Sequence, residues 1–256
     1  MKKIIFALLL FPSLCFSQGF VLYGGPLYGN YSNKYFNQFV DSYNNYSSGS
    51  GLTRSLSPWG SAIGYDVGAS FYLIKNLGFS FGFTGFSATS VAEFNDGSKR
   101  HFKNSVFSPL IFGIPMRIWR FNIHPKMGFA KCLLESYYEY PDGTISYGKD
   151  KLLNGVYTTF DFCGEITLSF DILDLDHLKL EAGVSAFGMP GKVETYQDWD
   201  WGRSLDVNGY PDGLPLDYAA WNSDPFSYDV TAYVHPRAKF YYAFVNLRYH
   251  FKSDEE

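Results

Sequence analysis

Four groups of side chains have the types and spacing that chemistry needs. The first is the run Asp198-Trp199-Asp200-Trp201 with Trp221 further on, three of the chain's five tryptophans set beside carboxylates. Indole faces stack on sugar rings, and carboxylates accept hydroxyl protons or help to place a cation, so this run is a candidate surface ligand site. It is not an EF-hand loop, because the later oxygen ligands and the terminal Glu do not fall at the required spacing. The second group pairs histidine with serine: His101 with Ser98 and Ser105, and His235 further on. A serine nucleophile needs a base within hydrogen-bond reach and a third group to orient that base. No nucleophile motif flanks either histidine, so a lipid A deacylase or acyltransferase stands only third among the functions weighed below.

Cys132 and Cys163 form the third group. Both fall on the same face of their alternating segments. A hairpin centred between Tyr147 and Gly148 would set them opposite each other, so a cross-strand disulfide is possible; the other reading is two buried free thiols acting as small apolar fillers. The fourth group is Asp66, Arg117, Lys126, Asp161, Glu165, Lys179, Glu181 and Arg248, four acids and four bases. Balanced charges on a buried face read as a mutually neutralising plug, with an ion path as the rival. The histidines and cysteines show no metal-ligand spacing, and no cofactor or metal is expected.

The elements that carry these residues follow from composition and period. The chain has 256 residues, of which 20% are aromatic, with 25 glycines beside them. That mixture suits pleated surfaces and tight turns. A net charge of −4 gives no footing for a nucleic-acid partner, and with 46% apolar residues the chain is not a disordered tail. Lys2 and Lys3, the apolar run Ile4–Leu14 and the close Cys15-Phe16-Ser17 read as a secretory signal peptide over residues 1–17. Lipidation at Cys15 is disfavoured by Leu14 before it.

Residues 18–256 show a period of two. From Ser61 to Leu73 the odd positions are mostly large and apolar, while the even ones are small or polar; Trp59 falls in phase with the odd set. The pattern recurs from Leu77, Val106, Phe121, Val156, Leu178 and Tyr241, and a segment at Gly19–Asn30 is ambiguous in its facing. These are two-faced strands, much longer than those of soluble sheets. Their connections alternate long and short: 30–58 long, 75–76 short, 90–104 long, about 120 short, 141–154 long, 174–177 short, 190–236 very long. The expected fold is an all-β, eight-stranded antiparallel transmembrane β-barrel, with short periplasmic turns and long extracellular loops.

The chain resembles the small outer-membrane barrels, in particular the PorT-like family with an outer-membrane β-barrel domain. The signal peptide, the strand motif Pro109-Leu110-Ile111-Phe112-Gly113-Ile114-Pro115 and the aromatic final strand Tyr241–Phe251 carry the resemblance. It departs at Lys252-Ser253-Asp254-Glu255-Glu256, which follow the terminal aromatic residue that insertion machinery reads in such families. The resemblance implies an accessory part in secretion or envelope assembly. The residues themselves favour a non-enzymatic protein of the cell outer membrane with a surface-loop binding, adhesion or envelope-structure role. Its expected partners are outer-membrane lipid and lipopolysaccharide, the barrel-assembly machinery during insertion, and a surface glycan or protein ligand. A monomer is the default.

Overall fold

The computed structural model describes residues 19–49, 51–74, 76–146, 153–175, 177–189 and 239–251. Residues 1–17, where an export signal is expected, and the fourth long connection lie outside these residues. Eight long strands form the wall: β1 (Phe20–Ser32), β2 (Ser61–Ile74), β3 (Leu77–Phe94), β4 (Lys99–Gly113), β5 (Phe121–Glu139), β6 (Gly155–Leu175), β7 (Leu178–Gly188) and β8 (Lys239–Phe251). Each pairs antiparallel with its neighbour in sequence, and β8 returns to β1 from Phe20↔Phe251 to Ser32↔Lys239. The sheet therefore closes on itself and leaves no edge strand without a neighbour at membrane depth, as hydrocarbon requires.

Alternation decides which residues face lipid. Outward positions such as Phe79, Phe81, Phe112, Met127, Phe129, Ile166, Leu168 and Leu247 stand exposed, with Ile63 at 67%. In water such a belt would be an aggregation surface. Against hydrocarbon it is the matched solvent face, so the barrel is of the membrane-spanning kind. Above the belt the same outward face turns ionic: Lys103 meets Glu135 at 3.4 Å and Lys99 meets Glu139 at 3.1 Å. At the short-turn end Trp119 is exposed, and the Arg120 guanidinium lies 5.5 Å from the centre of the Phe170 ring.

Several expectations need correction. Val106 faces inward, because a bulge between Phe107 and Leu110 inserts a residue and reverses the facing of the rest of β4. Trp59 precedes β2 and is buried, so it belongs to the interior. The span 90–104 is no loop: β3 and β4 continue upward and meet at the turn Asn95–Ser98. There Asp96 Oδ1 accepts from Ser98 N at 2.9 Å and Ser98 Oγ at 2.6 Å, with Gly97 at φ +84°. The turn at Pro141–Thr144 repeats this chemistry, Asp142 accepting from Thr144 beside Gly143 at φ +82°.

The first long connection contains a helix, α1 (Lys34–Ser47). Asn33 caps it: its side-chain oxygen accepts from Tyr35 N at 3.0 Å and Phe36 N at 3.1 Å. Phe36, Phe39, Val40 and Tyr43 share one helix face, and all four are buried. Asn44 then ties α1 to the chain leaving it, donating to Leu56 O at 2.8 Å and accepting from Leu56 N at 2.9 Å.

Candidate functional site

The barrel interior is built in two storeys. At the α1 end, Phe36 stacks on Trp59 with centroids 3.5 Å apart, and Trp59 Nε1 donates to Phe102 O at 3.1 Å. Phe39 and Tyr43 pack edge-on against Phe102, at 5.1 and 6.1 Å. Phe86 and Phe240 stack beneath at 4.1 Å, and Phe86 meets Phe187 at 5.3 Å. Helix and wall thus share one aromatic core that stoppers the mouth.

The lower storey is ionic. Lys126 Nζ sits 3.0 Å from Asp66 and 2.8 Å from Glu165, all three buried. Thr84 donates to Asp66 at 2.9 Å, while Tyr242 and Thr167 donate to Glu165 at 2.8 and 2.9 Å. Nearer the short turns, Arg248 lies 3.3 Å from Glu181 and 3.8 Å from Asp171, and accepts the company of Tyr72, to whose hydroxyl it donates at 2.8 Å. Arg117 reaches Asp171 at 2.7 Å, and Lys179 reaches Asp174 at 2.7 Å. Seven of the eight charges read from the sequence enter this lattice. Asp161 stands higher, its Oδ1 accepting from Phe162 N at 2.7 Å. Asp171, which bridges two arginines, was outside the set of eight, although its inward register was legible.

Tyr23 spans the floor of three strands. Its hydroxyl packs over Gly68 and Gly82, where an added Cβ would come within 2.5 and 2.8 Å of it. The space left between the charges is a cavity of about 20 Å³, lined among others by Tyr23, His124, Asn246 and Arg248. That holds about one water. Ser80 and His124 do meet there, Oγ to Nε2 at 2.5 Å, but the cavity has no room for a substrate.

The remaining candidates separate. His101 lies on the outward face of β4, stacked on Tyr137 at 4.6 Å, and its Nε2 meets Glu139 at 2.8 Å rather than a serine. Glu139 is held below the usual carboxylate range by hydrogen bonds from Lys99 and then His101. His235, Asp198, Trp199, Asp200, Trp201 and Trp221 lie outside the described residues. The possible disulfide does not form. Cys132 pairs across from Thr159 and Cys163 from Gly128, four positions apart, or roughly 13 Å along the ladder. A disulfide tolerates Cα separations up to only about 7 Å. Neither cysteine is in a disulfide and both are buried; Cys132 Sγ lies 3.2 Å from Met189 Sδ, and Cys163 Sγ 3.7 Å from Ser108 Oγ. The β5–β6 ladder runs from Phe121↔Phe170 to Ser136↔Gly155, a register four positions away from the symmetric hairpin, and the chain turns at Pro141–Thr144 rather than at Tyr147-Gly148.

Comparison with solved structures finds Ail, the attachment invasion locus protein of Yersinia pestis, in complex with the heparin analogue sucrose octasulfate. It shares 8% identity, with 91% of this chain and 99% of that chain covered and a TM-score of 0.44. Neisserial surface protein A matches at 11% identity, with 91% and 97% covered and a TM-score of 0.35. No protein-family model matches the chain, and no curated protein sequence does. The barrel assignment rests on the closed ladder and the apolar exterior.

Proposed function

We propose that the chain is an outer-membrane protein that binds at its surface, through the connections at the α1 end, and neither conducts nor catalyses. The observation that carries this reading is the doubly closed interior: an aromatic stopper above, an ion-pair lattice below, and about 20 Å³ between charges. Binding then falls to the exterior, where β3–β4 and β5 rise above the belt with alternating charge. The fourth connection supplies the binding groups. Trp199, Trp201 and Trp221 stack on a sugar face or a protein side chain, and Asp198 and Asp200 accept its hydroxyls or amides. Lipopolysaccharide surrounds the belt, the barrel-assembly machinery inserts the chain after signal-peptide removal, and the protein acts as a monomer.

Replacing residues 195–234 by a short Gly-Ser linker in the full chain tests this. Binding to a glycan array and to host or bacterial cells should vanish while the unboiled band still migrates faster than the boiled one. Retained binding would overturn the fourth connection as the site. An accessory role in secretion or envelope assembly, as in PorT-like proteins, is supported by the Pro109–Pro115 motif; secretion lost in a knockout and restored by the linker variant would favour it. Lipid A whose acyl chains change on deletion of the gene, and equally in His101→Ala or His235→Ala, would favour the enzymatic reading.

A further inference from the structure

The lipid face of the barrel is not uniformly filled. Outward positions on β1 run Leu22, Gly24, Pro26, Tyr28 and Asn30. Val67 on β2 leans over Gly24, its Cγ1 3.0 Å from where a Cβ would stand, whereas Pro26 beside Tyr65 carries only a short ring. Over Pro26 lies a groove of about 630 Å³ lined by Pro26, Tyr28, Ile63, Tyr65, Ala243 and Val245. Adjacent strands lie about 4.8 Å apart, so the rows flanking β1 are roughly 10 Å apart, and the gap over β1 is one side chain wide. That is the girth of a single polymethylene chain.

The backbone beneath is also unusual. The β1–β8 ladder runs from Phe20↔Phe251 to Gly24↔Leu247 and resumes at Leu27↔Phe244 in the same register, skipping Gly25 and Pro26. Proline has no N–H to contribute. The one seam that closes the barrel therefore carries an unpaired stretch directly under the groove.

The two ends of the groove differ. Its body is apolar and continuous with the belt. At its upper end Tyr28 and Tyr241 stand exposed, and beyond them the outward residues are Asn30, Ser61 and Lys239. Tyrosine rings with an apolar body and a polar tip mark the level where hydrocarbon gives way to headgroups. An occupant must be a hydrocarbon tail below and polar or anionic above. We propose that this groove is a lipid site that holds one acyl chain of a phosphate-bearing lipid of the outer leaflet, with its headgroup beside Tyr28, Tyr241 and Lys239. The site orders one lipid against the closing seam, over the short Pro26 ring.

The test uses the full mature chain refolded into phosphatidylcholine vesicles carrying phosphatidylglycerol with a diazirine on its acyl chain. After irradiation, adducts should concentrate severalfold on peptides containing 26–28, 63–65 and 243–245, relative to the opposite wall at Phe112, Phe129 and Phe160. Ala243→Phe and, separately, Ile63→Trp fill the groove from lipid-facing positions; with the heat shift on gels retained, each should bring labelling down to that of the opposite wall. Even labelling around the wild-type belt would overturn the proposal. So would a dimer in the native mass spectrum that Ala243→Phe disperses, because the occupant would then be a second copy.

Discussion

The two storeys of the interior solve one problem by opposite means. Both must fill a space ringed by eight strands. The lower storey does so with charges fixed by partners on facing strands, such as Lys126 between Asp66 and Glu165. The upper storey borrows a separate element, α1, whose Phe36 and Phe39 complete an aromatic core. Ion pairs tie the wall to itself, so their loss strikes the barrel. The stopper is bound to the wall chiefly by packing, so its loss is separable. A buried pair broken on one side costs far more than the pair contributes net, whereas packing losses scale with the volume removed.

Lys126→Met sharpens this contrast most. It strands Asp66 and Glu165 together, and the barrel should lose about 3–5 kcal/mol in denaturant unfolding from detergent micelles. Adding Asp66→Asn and Glu165→Gln should recover much of that loss; no recovery would break the view that the charges act as a neutral set. Phe36→Ala should cost about 3 kcal/mol of α1 docking while the heat shift of the barrel persists. Hydrogen exchange would read this as faster exchange in 34–47 with β5 and β6 unchanged. If the wall loosens equally, the storeys are not separable. Asn33→Ala removes the cap and should cost about 1 kcal/mol, confined to α1.

The smallest effect lies above both storeys, at the tip of β4 and β5. Glu139 is held below the ordinary carboxylate range by Lys99 and His101. A depressed folded value means that its contribution is present above the unfolded carboxylate range and disappears as pH falls through the folded value. Amide protection around 99–101 and 137–139 should therefore drop on acidification, and Glu139→Gln should abolish that pH dependence without moving Phe36 or Lys126.

The wall was legible because a period of two, sustained over strands of 11 to 21 residues, admits little else. It misled at Val106, where the bulge after Phe107 reverses the facing, and no periodicity announces a bulge. Long connections hid structure that local signals did mark. Asn33 followed by Phe36, Phe39, Val40 and Tyr43 is a capped helix at a spacing of three and four, outweighed by the expectation of an irregular loop. Asp96-Gly97-Ser98 and Asp142-Gly143-Thr144 are turn signals of one type, and recognising the second would have removed the symmetric hairpin on which the Cys132–Cys163 bond depended. The interior charges were readable as a set, but their partners were not, since pairing is fixed by register across strands distant in sequence. The candidate run Asp198–Trp201 lies beyond the described residues.

The position of α1 in the chain has a consequence in time. It is among the first elements synthesised, yet the aromatic core it joins, through Trp59 and Phe102, also includes Phe187 on β7 and Phe240 on β8, the last of which arrives near the end of the chain. Contacts so distant in sequence form late. Until β8 meets β1 that core is unfinished, and α1 can rest only on Trp59 and Phe102. The seating of α1 is then completed as the ring closes, and a nascent chain stopped before residue 239 should show less protection in 34–47 than the full barrel.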